Sequence, residues 1–151
     1  MERIASFCIN HDTLTPGMYL SRVDGDVTTF DLRTRRPNAG EYMDNPTMHT
    51  FEHLFATYIR NSAIGSSVLY FGPMGCQTGF YLLVRGVENE RVLAVLKDAL
   101  KKTVAHEGEV FGASAVECGN YQSLSLDKAK AEAQRYLAVL EQKEKWSFLY
   151  E

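Results

Sequence analysis

The length, composition and charge of the chain predict one globular domain and exclude several kinds of protein. Its 151 residues are enough for a single hydrophobic core. With 45% hydrophobic and 23% charged residues, the composition is that of an ordinary globular protein, and the longest apolar run is far shorter than the ~20 residues of a membrane-spanning helix. The net charge of −3 leaves no dominant basic surface, so we expect no nucleic-acid partner.

The start of the chain and its cysteines indicate the compartment. The first residues lack the long apolar segment and cleavage site of a secretory signal, which predicts a cytoplasmic protein. The three cysteines, Cys8, Cys76 and Cys118, are odd in number and far apart in sequence. We therefore interpret them as thiols rather than as a disulfide framework.

The first half of the chain predicts a hairpin followed by a helix. Residues 18–23 and 27–33 are rich in strand formers, and the Asp-Gly pair between them is typical of a tight turn. The segment 34–45 contains proline, glycine and asparagine and is predicted to be a loop. Asn45 is then expected to cap a helix that has Pro46 at its first position and ends near residue 60 or 61.

The second half predicts another strand pair and two helices. Strands at 67–71 and 79–85 flank a glycine-punctuated loop that carries Cys76. A helix capped by Asn89 is expected to reach about residue 105, and a third helix follows Ser125 after an irregular stretch. This order predicts an α+β fold, with a mainly antiparallel sheet packed against helices on one side, as a single domain over residues 1–151.

The motif His49-Thr50-Phe51-Glu52-His53 places three chemically active side chains on one helix face. At about 100° per residue, His53 lies about 40° from His49, and Glu52 lies about 60° to the other side. Two imidazoles four residues apart can bind one divalent metal, with the carboxylate held beside its open position. A histidine pair alone favours an ordinary polar helix face, but the added glutamate favours a metal site.

A catalytic metal site needs a third protein ligand, and the sequence offers several candidates. They are Cys118, Cys76, Glu117, His106 and His11. A thiolate is the strongest donor among them for a late divalent metal, which favours Cys118. Two alternatives remain open: an inverted-motif metallopeptidase with Glu117 as third ligand, and a non-catalytic module in which Cys76 closes a four-ligand structural site.

Five stretches together resemble the S-ribosylhomocysteine lyase, or LuxS, family over nearly the whole chain. In chain order they are Ser6-Phe7 with Asn10-His11, Phe30-Asp31-Leu32-Arg33 with Pro37-Asn38, His49-Thr50-Phe51-Glu52-His53, Pro73-Met74-Gly75-Cys76-Gln77-Thr78-Gly79-Phe80-Tyr81, and Cys118 followed by Ser125-Leu126-Asp127. The chain departs from the family pattern in three places: Tyr70 stands where its members usually have an acidic residue, Cys8 is unusual, and the loop around Gly40 is slightly longer than common.

The resemblance implies an activity and a set of site residues. The reaction would cleave the thioether of S-ribosylhomocysteine to homocysteine and 4,5-dihydroxy-2,3-pentanedione, the precursor of autoinducer-2. It would use one Fe²⁺ per chain, replaceable by Zn²⁺ or Co²⁺, in active sites shared across a homodimer. The implied metal ligands are His49, His53 and Cys118, the acid/base residues are Glu52 and Cys76, and the substrate-binding residues are Ser6, His11 and Arg33.

Overall fold

The sheet consists of two antiparallel hairpins joined side by side. A computed structural model describes residues 1–150, so the predicted domain range 1–151 ends at Glu151, outside the described residues. The strands are β1 (Gly17–Asp24), β2 (Val27–Arg33), β3 (Val68–Pro73) and β4 (Gly79–Arg85), in the order β1-β2-β4-β3. Gly25 has a φ of 62°, as the Asp-Gly turn between β1 and β2 requires.

Three helices pack on one face of this sheet. They are α1 (Asn45–Arg60), α2 (Asn89–Ala105) and α3 (Leu126–Glu141). The α+β fold predicted from the sequence, with one core between an antiparallel sheet and its helices, is confirmed. None of the helices described within residues 1–150 is long and apolar enough to cross a membrane.

Alternation along the strands separates a core face from an outer face of the sheet. In β2, Phe30 and Leu32 are fully buried against the helices and pair with Leu82 and Phe80 of β4. The alternate residues of the strand, such as Asp31 and Arg33, therefore point to the opposite face. This outer face carries polar side chains, and one part of the candidate site lies on it.

An aromatic cluster fixes α1 against the sheet. The Phe51 and Phe80 rings lie 4.7 Å apart between centroids, as do the Phe55 and Phe71 rings. Burial of each such ring contributes roughly 1.5–3 kcal/mol, so the helix is firmly anchored by one side. The opposite side of α1, with His49 and Glu52, is left free for chemistry.

The helix starts differ from the sequence prediction by one residue. Asp44, not Asn45, caps α1, because its carboxylate accepts a hydrogen bond from the Thr47 backbone N–H at 2.9 Å. Asn89 likewise lies inside α2, whose first turn follows Glu88 without a side-chain cap. Both segments offer adjacent polar residues, and only the backbone path decides which one lies at the end of the helix.

Candidate metal centre and active site

His49, His53 and Cys118 converge on one point. The two imidazoles project from successive turns of α1, and the thiol comes from the irregular segment between α2 and α3. One ligand atom from each residue lies within 4.8 Å of the others, and Cys118 Sγ is 3.3 Å from His49 Nε2. A four-coordinate metal with bonds of about 2.0–2.3 Å holds its ligand atoms roughly 3.3–3.8 Å apart. The three residues therefore fit a single divalent ion.

A hydrogen bond made by Nδ1 of each ring fixes the orientation of both imidazoles. His53 Nδ1 donates to the Phe111 carbonyl oxygen at 2.7 Å. His49 Nδ1 lies 2.7 Å from Ser123 Oγ, which itself donates to the Asn120 carbonyl at 3.1 Å and so accepts from the imidazole. In both rings the proton therefore sits on Nδ1, and the Nε2 lone pair is free for a metal.

Sequence reasoning missed both of these supporting groups. Ser123 lies 74 residues from His49, and a backbone carbonyl such as that of Phe111 has no sequence signature at all. The one available clue was general: a metal-bound histidine almost always donates its second N–H. That clue predicts an acceptor for each ring but does not locate it in the sequence.

The segment that carries Cys118 is held in place by its own contacts. The Cys118 backbone N–H donates to the Ser114 carbonyl at 3.0 Å, and the Asn120 N–H points at Cys118 Sγ at 3.4 Å. Gly112 has a φ of 71°, and a Cβ there would lie 3.3 Å from His53 Nδ1. A side chain at this position would therefore be strained and would crowd the imidazole.

His106, one of the candidate third ligands, has a structural role. Its side chain is buried, and both ring nitrogens are engaged: Nδ1 with the Tyr58 hydroxyl at 2.7 Å and Nε2 with the Glu109 carbonyl at 2.8 Å. The imidazole also packs edge-on against Phe111, with 4.9 Å between ring centroids. It therefore anchors the start of the irregular segment to α1 and has no free nitrogen for a metal.

Glu52 lies beside the three ligands in an open cavity of about 490 Å³, which we call the metal cavity. Burial raises the pKa of Glu52 above its usual value, although the charge of His53 opposes that shift. Burial and the neighbouring His53 lower the pKa of His49, which favours the neutral ring that a metal needs. Ala56 also lines the cavity, and its small side chain leaves space beside the ligands.

A second concavity, of about 310 Å³, contains the other predicted site residues. We call it the thiol pocket, and its side chains come from the N-terminal segment, the end of β2, the β3–β4 turn and β4. Cys76 is exposed there, with its Sγ 3.1 Å from Thr78 Oγ1 and 3.8 Å from Arg33 Nη1. The lining residues include Ser6, Phe7, His11, Arg33, Cys76 and Tyr81.

Arg33 is held by a buried ion pair that the sequence did not predict. Its guanidinium makes two hydrogen bonds to Asp31, Nε to Oδ1 at 3.1 Å and Nη2 to Oδ2 at 2.6 Å, and both side chains are at most 2% exposed. The remaining nitrogen, Nη1, donates to Thr78 Oγ1 at 2.8 Å. The alternation in Phe30-Asp31-Leu32-Arg33 could have revealed the pair, because residues two apart in a strand share a face.

Tyr70, at the position where the resemblance led us to expect an acidic residue, lies next to this pocket on the outer face of the sheet. It is 51% exposed and borders a groove together with Ser6 and Tyr81. Its hydroxyl occupies the space above Gly72, where a Cβ would fall 2.1 Å from it. This part of the groove therefore presents a tyrosine hydroxyl rather than a carboxylate.

The metal cavity and the thiol pocket are separate within one chain. They have no lining residue in common. The metal cavity opens on the side of α1 that faces away from the sheet, whereas Arg33 and Tyr81 belong to the outer sheet face. The structure brings the three metal ligands together with Glu52, and it brings Cys76 together with Ser6, His11 and Arg33, but it does not unite the two groups.

This arrangement gives no support to the two alternatives left open by the sequence. Glu117 borders the metal cavity, but its carboxylate accepts a hydrogen bond from Ser114 Oγ at 2.6 Å and is absent from the metal-binding group found among residues 1–150. Cys76 lies in the other pocket and cannot close a four-ligand structural site within the chain. Cys118 is the third ligand that the geometry supplies.

Comparison with known proteins identifies the family. A sequence model described as S-Ribosylhomocysteinase (LuxS) matches residues 4–147. The chain is 46% identical to an S-ribosylhomocysteine lyase of Clostridium beijerinckii over 143 residues, which cover 91% of this chain and 90% of the relative. It is 43% identical to the enzyme of that name from Finegoldia magna, over 99% of both chains. With a family match over residues 4–147 and relatives of this identity and coverage, the chain belongs to the S-ribosylhomocysteinase (LuxS) family.

Proposed function

We propose that this protein is an S-ribosylhomocysteine lyase. It cleaves the thioether of S-ribosylhomocysteine and releases homocysteine and 4,5-dihydroxy-2,3-pentanedione, the precursor of autoinducer-2. Family membership supports the substrate. The observation that carries the chemistry is the convergence of His49, His53 and Cys118 in one cavity with Glu52.

The three ligands suit one Fe²⁺, for which Zn²⁺ or Co²⁺ can substitute. Two neutral imidazoles and one thiolate are donors that late divalent metals favour, and they leave a fourth position open. When bound, the metal supplies a Lewis acid that polarises a sugar carbonyl. A reaction of this kind needs no redox cofactor, because the carbonyl of the open-chain ribose serves as the electron sink.

Glu52 and Cys76 move the protons. Removing the proton from C2 and returning one to C1 shifts the carbonyl from C1 to C2, and a repetition shifts it to C3. Loss of the C4 proton then expels the homocysteine sulfur from C5. Cys76 acts as a thiolate base and Glu52 exchanges protons with the sugar oxygens, a role that its raised pKa supports. Each positioned proton transfer of this kind is typically worth about 10²–10⁴-fold in rate.

Ser6, His11 and Arg33 bind the substrate in the thiol pocket. A hydroxyl, an imidazole and a guanidinium supply both donors and acceptors for the ribose hydroxyls and the charged homocysteine end. Arg33 is fixed in position by Asp31 and Thr78, so it offers a rigid contact rather than a mobile one. A preformed contact of this kind lowers the entropic cost of binding.

The active site is completed by a second copy of the chain. Because the metal cavity and the thiol pocket lie on different sides of one chain, a homodimer that faces one against the other assembles the full set of residues. Exposed apolar side chains in and beside the thiol pocket support an interface there: Phe7 in the pocket is 64% exposed, and Ile4 in the adjoining groove is 59% exposed. The enzyme acts in the cytoplasm, where its thiols stay reduced.

The direct test is release of free thiol from S-ribosylhomocysteine by reduced, metal-loaded protein. Cys76→Ala should retain metal and lose turnover, whereas Cys118→Ala should lose both. Glu117→Gln is the matched control and should keep both. Absence of thiol release from the wild-type protein would refute the proposal, and metal that survives loss of Cys118 but not of Glu117 would favour a metallopeptidase-like site.

A further inference from the structure

The C-terminal segment after α3 wraps around the free edge of the sheet. We call residues 146–150 the C-terminal strap. The Trp146 indole N–H donates to the Leu140 carbonyl at 3.0 Å, and the Leu20 N–H of β1 donates to the Phe148 carbonyl at 2.7 Å. The Trp146 ring lies against Gly17, where a Cβ would come within 2.6 Å of it. The strap is therefore attached both to the helical layer and to the edge strand.

The backbone of the strap turns sharply at Phe148. Its φ of 60° lies in the left-handed region that bulky residues rarely adopt, and its side chain is only 4% exposed in the core. This turn lets Phe148 enter the helix-side core while Tyr150 reaches the opposite face of the sheet. Strained backbone of this kind persists only where surrounding contacts hold it.

Tyr150 ends on the buried carboxylate of Asp31. Its ring stacks on Tyr19 with 5.0 Å between centroids and 15° between planes. Its hydroxyl donates to Asp31 Oδ2 at 2.8 Å. Burial and the neighbouring carboxylate raise the pKa of Tyr150, so the hydroxyl keeps its proton and remains a donor. The contact joins residues 119 positions apart in the sequence.

The oxygen that Tyr150 contacts is also the one that holds Arg33. Asp31 Oδ2 accepts from both the Tyr150 hydroxyl and Arg33 Nη2, at 2.8 and 2.6 Å. The other end of the guanidinium, Nη1, donates to Thr78 Oγ1 and lies 3.8 Å from Cys76 Sγ. A continuous chain of polar contacts therefore runs from the C-terminal strap to the thiol.

We propose that Tyr150 is a positioning residue for Cys76, acting through Asp31 and Arg33. Asp31 is fully buried, so it depends on its few donors for orientation. Without the Tyr150 hydroxyl, the carboxylate has one donor fewer and holds the guanidinium less firmly. Arg33 is the cation next to the thiol, and a displaced cation favours the thiolate less. This inference rests on the role proposed above for Cys76.

The test compares two variants that each lose one hydroxyl and keep the stacked rings. Tyr150→Phe removes the donor to Asp31, whereas the control Tyr19→Phe removes a hydroxyl that donates to the Thr15 carbonyl at 2.8 Å. In full-length, metal-loaded protein at fixed pH, the rate at which iodoacetamide alkylates Cys76 is followed by mass spectrometry of the Cys76 peptide. Turnover and the melting temperature are measured in parallel.

We expect Tyr150→Phe to slow Cys76 alkylation and turnover by about 2- to 10-fold, the range that one hydrogen bond spans. Tyr19→Phe should leave both rates at the wild-type level, and its melting temperature should be similar to that of Tyr150→Phe. Equal alkylation rates in Tyr150→Phe and wild type would overturn the inference, as would an equal loss in both variants. The alkylation rate does not depend on catalysis. It therefore decides the role of Tyr150 even if an active Cys76→Ala enzyme refutes the proposed role of Cys76.

Discussion

Complementation between inactive subunits tests whether each active site is shared by two chains. Glu52 lines the metal cavity and Cys76 the thiol pocket, so Glu52→Gln and Cys76→Ala damage different halves. Each homodimer should lose turnover by about 10²–10⁴-fold. In a heterodimer of the two variants, one site receives both defects, and the other combines an intact metal cavity with an intact thiol pocket. Such a heterodimer should recover about half of the wild-type activity.

The reciprocal heterodimer gives the opposite expectation and serves as the control. When a wild-type chain is paired with a chain carrying both substitutions, each shared site contains one defect, and activity should be nearly absent. Co-expression with two different affinity tags and tandem purification yields either heterodimer, and thiol release measures its activity. If each site were built within one chain, the first heterodimer would be inactive and the second would retain about half of the activity. That result would refute the reasoning from the two separate half-sites.

Three further substitutions test the hydrogen bond that orients His49, the packing of α1 and the cap at its start. Ser123→Ala removes the acceptor for His49 Nδ1 and should weaken metal affinity about 10- to 100-fold in a chelator competition, whereas unchanged affinity would contradict the role of Ser123. Leu54→Ala should lower the free energy of unfolding in urea by about 2–5 kcal/mol, because Leu54 is fully buried; a loss under 1 kcal/mol would argue against the packing described. Asp44→Ala should cost about 1 kcal/mol through loss of the helix cap. Lys128 and the Thr47 hydrogen bonds lower the pKa of Asp44 to about 2, so this difference should be full above about pH 4 and shrink as the pH falls towards 2. A difference that grew in acid would refute the assigned sign.

Much of the fold could be predicted because short-range patterns encode it. The Asp-Gly turn and the strand alternation predict the first hairpin, and the recurrence of Phe51, Leu54 and Phe55 predicts the buried side of α1. The same periodicity places His49 and His53 on the opposite side. Helix ends were less certain, since Asp44 and Asn45 are both good caps and the choice between them depends on the path of the preceding loop.

The remainder of the site depends on contacts between distant parts of the chain. The Phe111 carbonyl beside His53 leaves no trace in the sequence, and Ser123 is one of many serines until the loop is folded. The contact from Tyr150 to Asp31 joins residues 119 positions apart. A motif identifies groups that are chemically able to act, but the groups that orient them are selected by tertiary packing and need no fixed spacing.

The proposed metal ligands are divided between a helix and a loop, and this division has a physical consequence. His49 and His53 are held by a helix whose aromatic side packs on the sheet, so their separation is fixed before any metal binds. Cys118 lies in an irregular segment, and its position depends on a few hydrogen bonds and on the packing of His106 and Phe111. The contacts that order this segment therefore lower the conformational-entropy cost of bringing Cys118 to the two imidazoles. Contacts such as that of Tyr58 with His106 restrict the segment in advance and reduce this cost, which makes them determinants of metal affinity although they lie outside the ligand set.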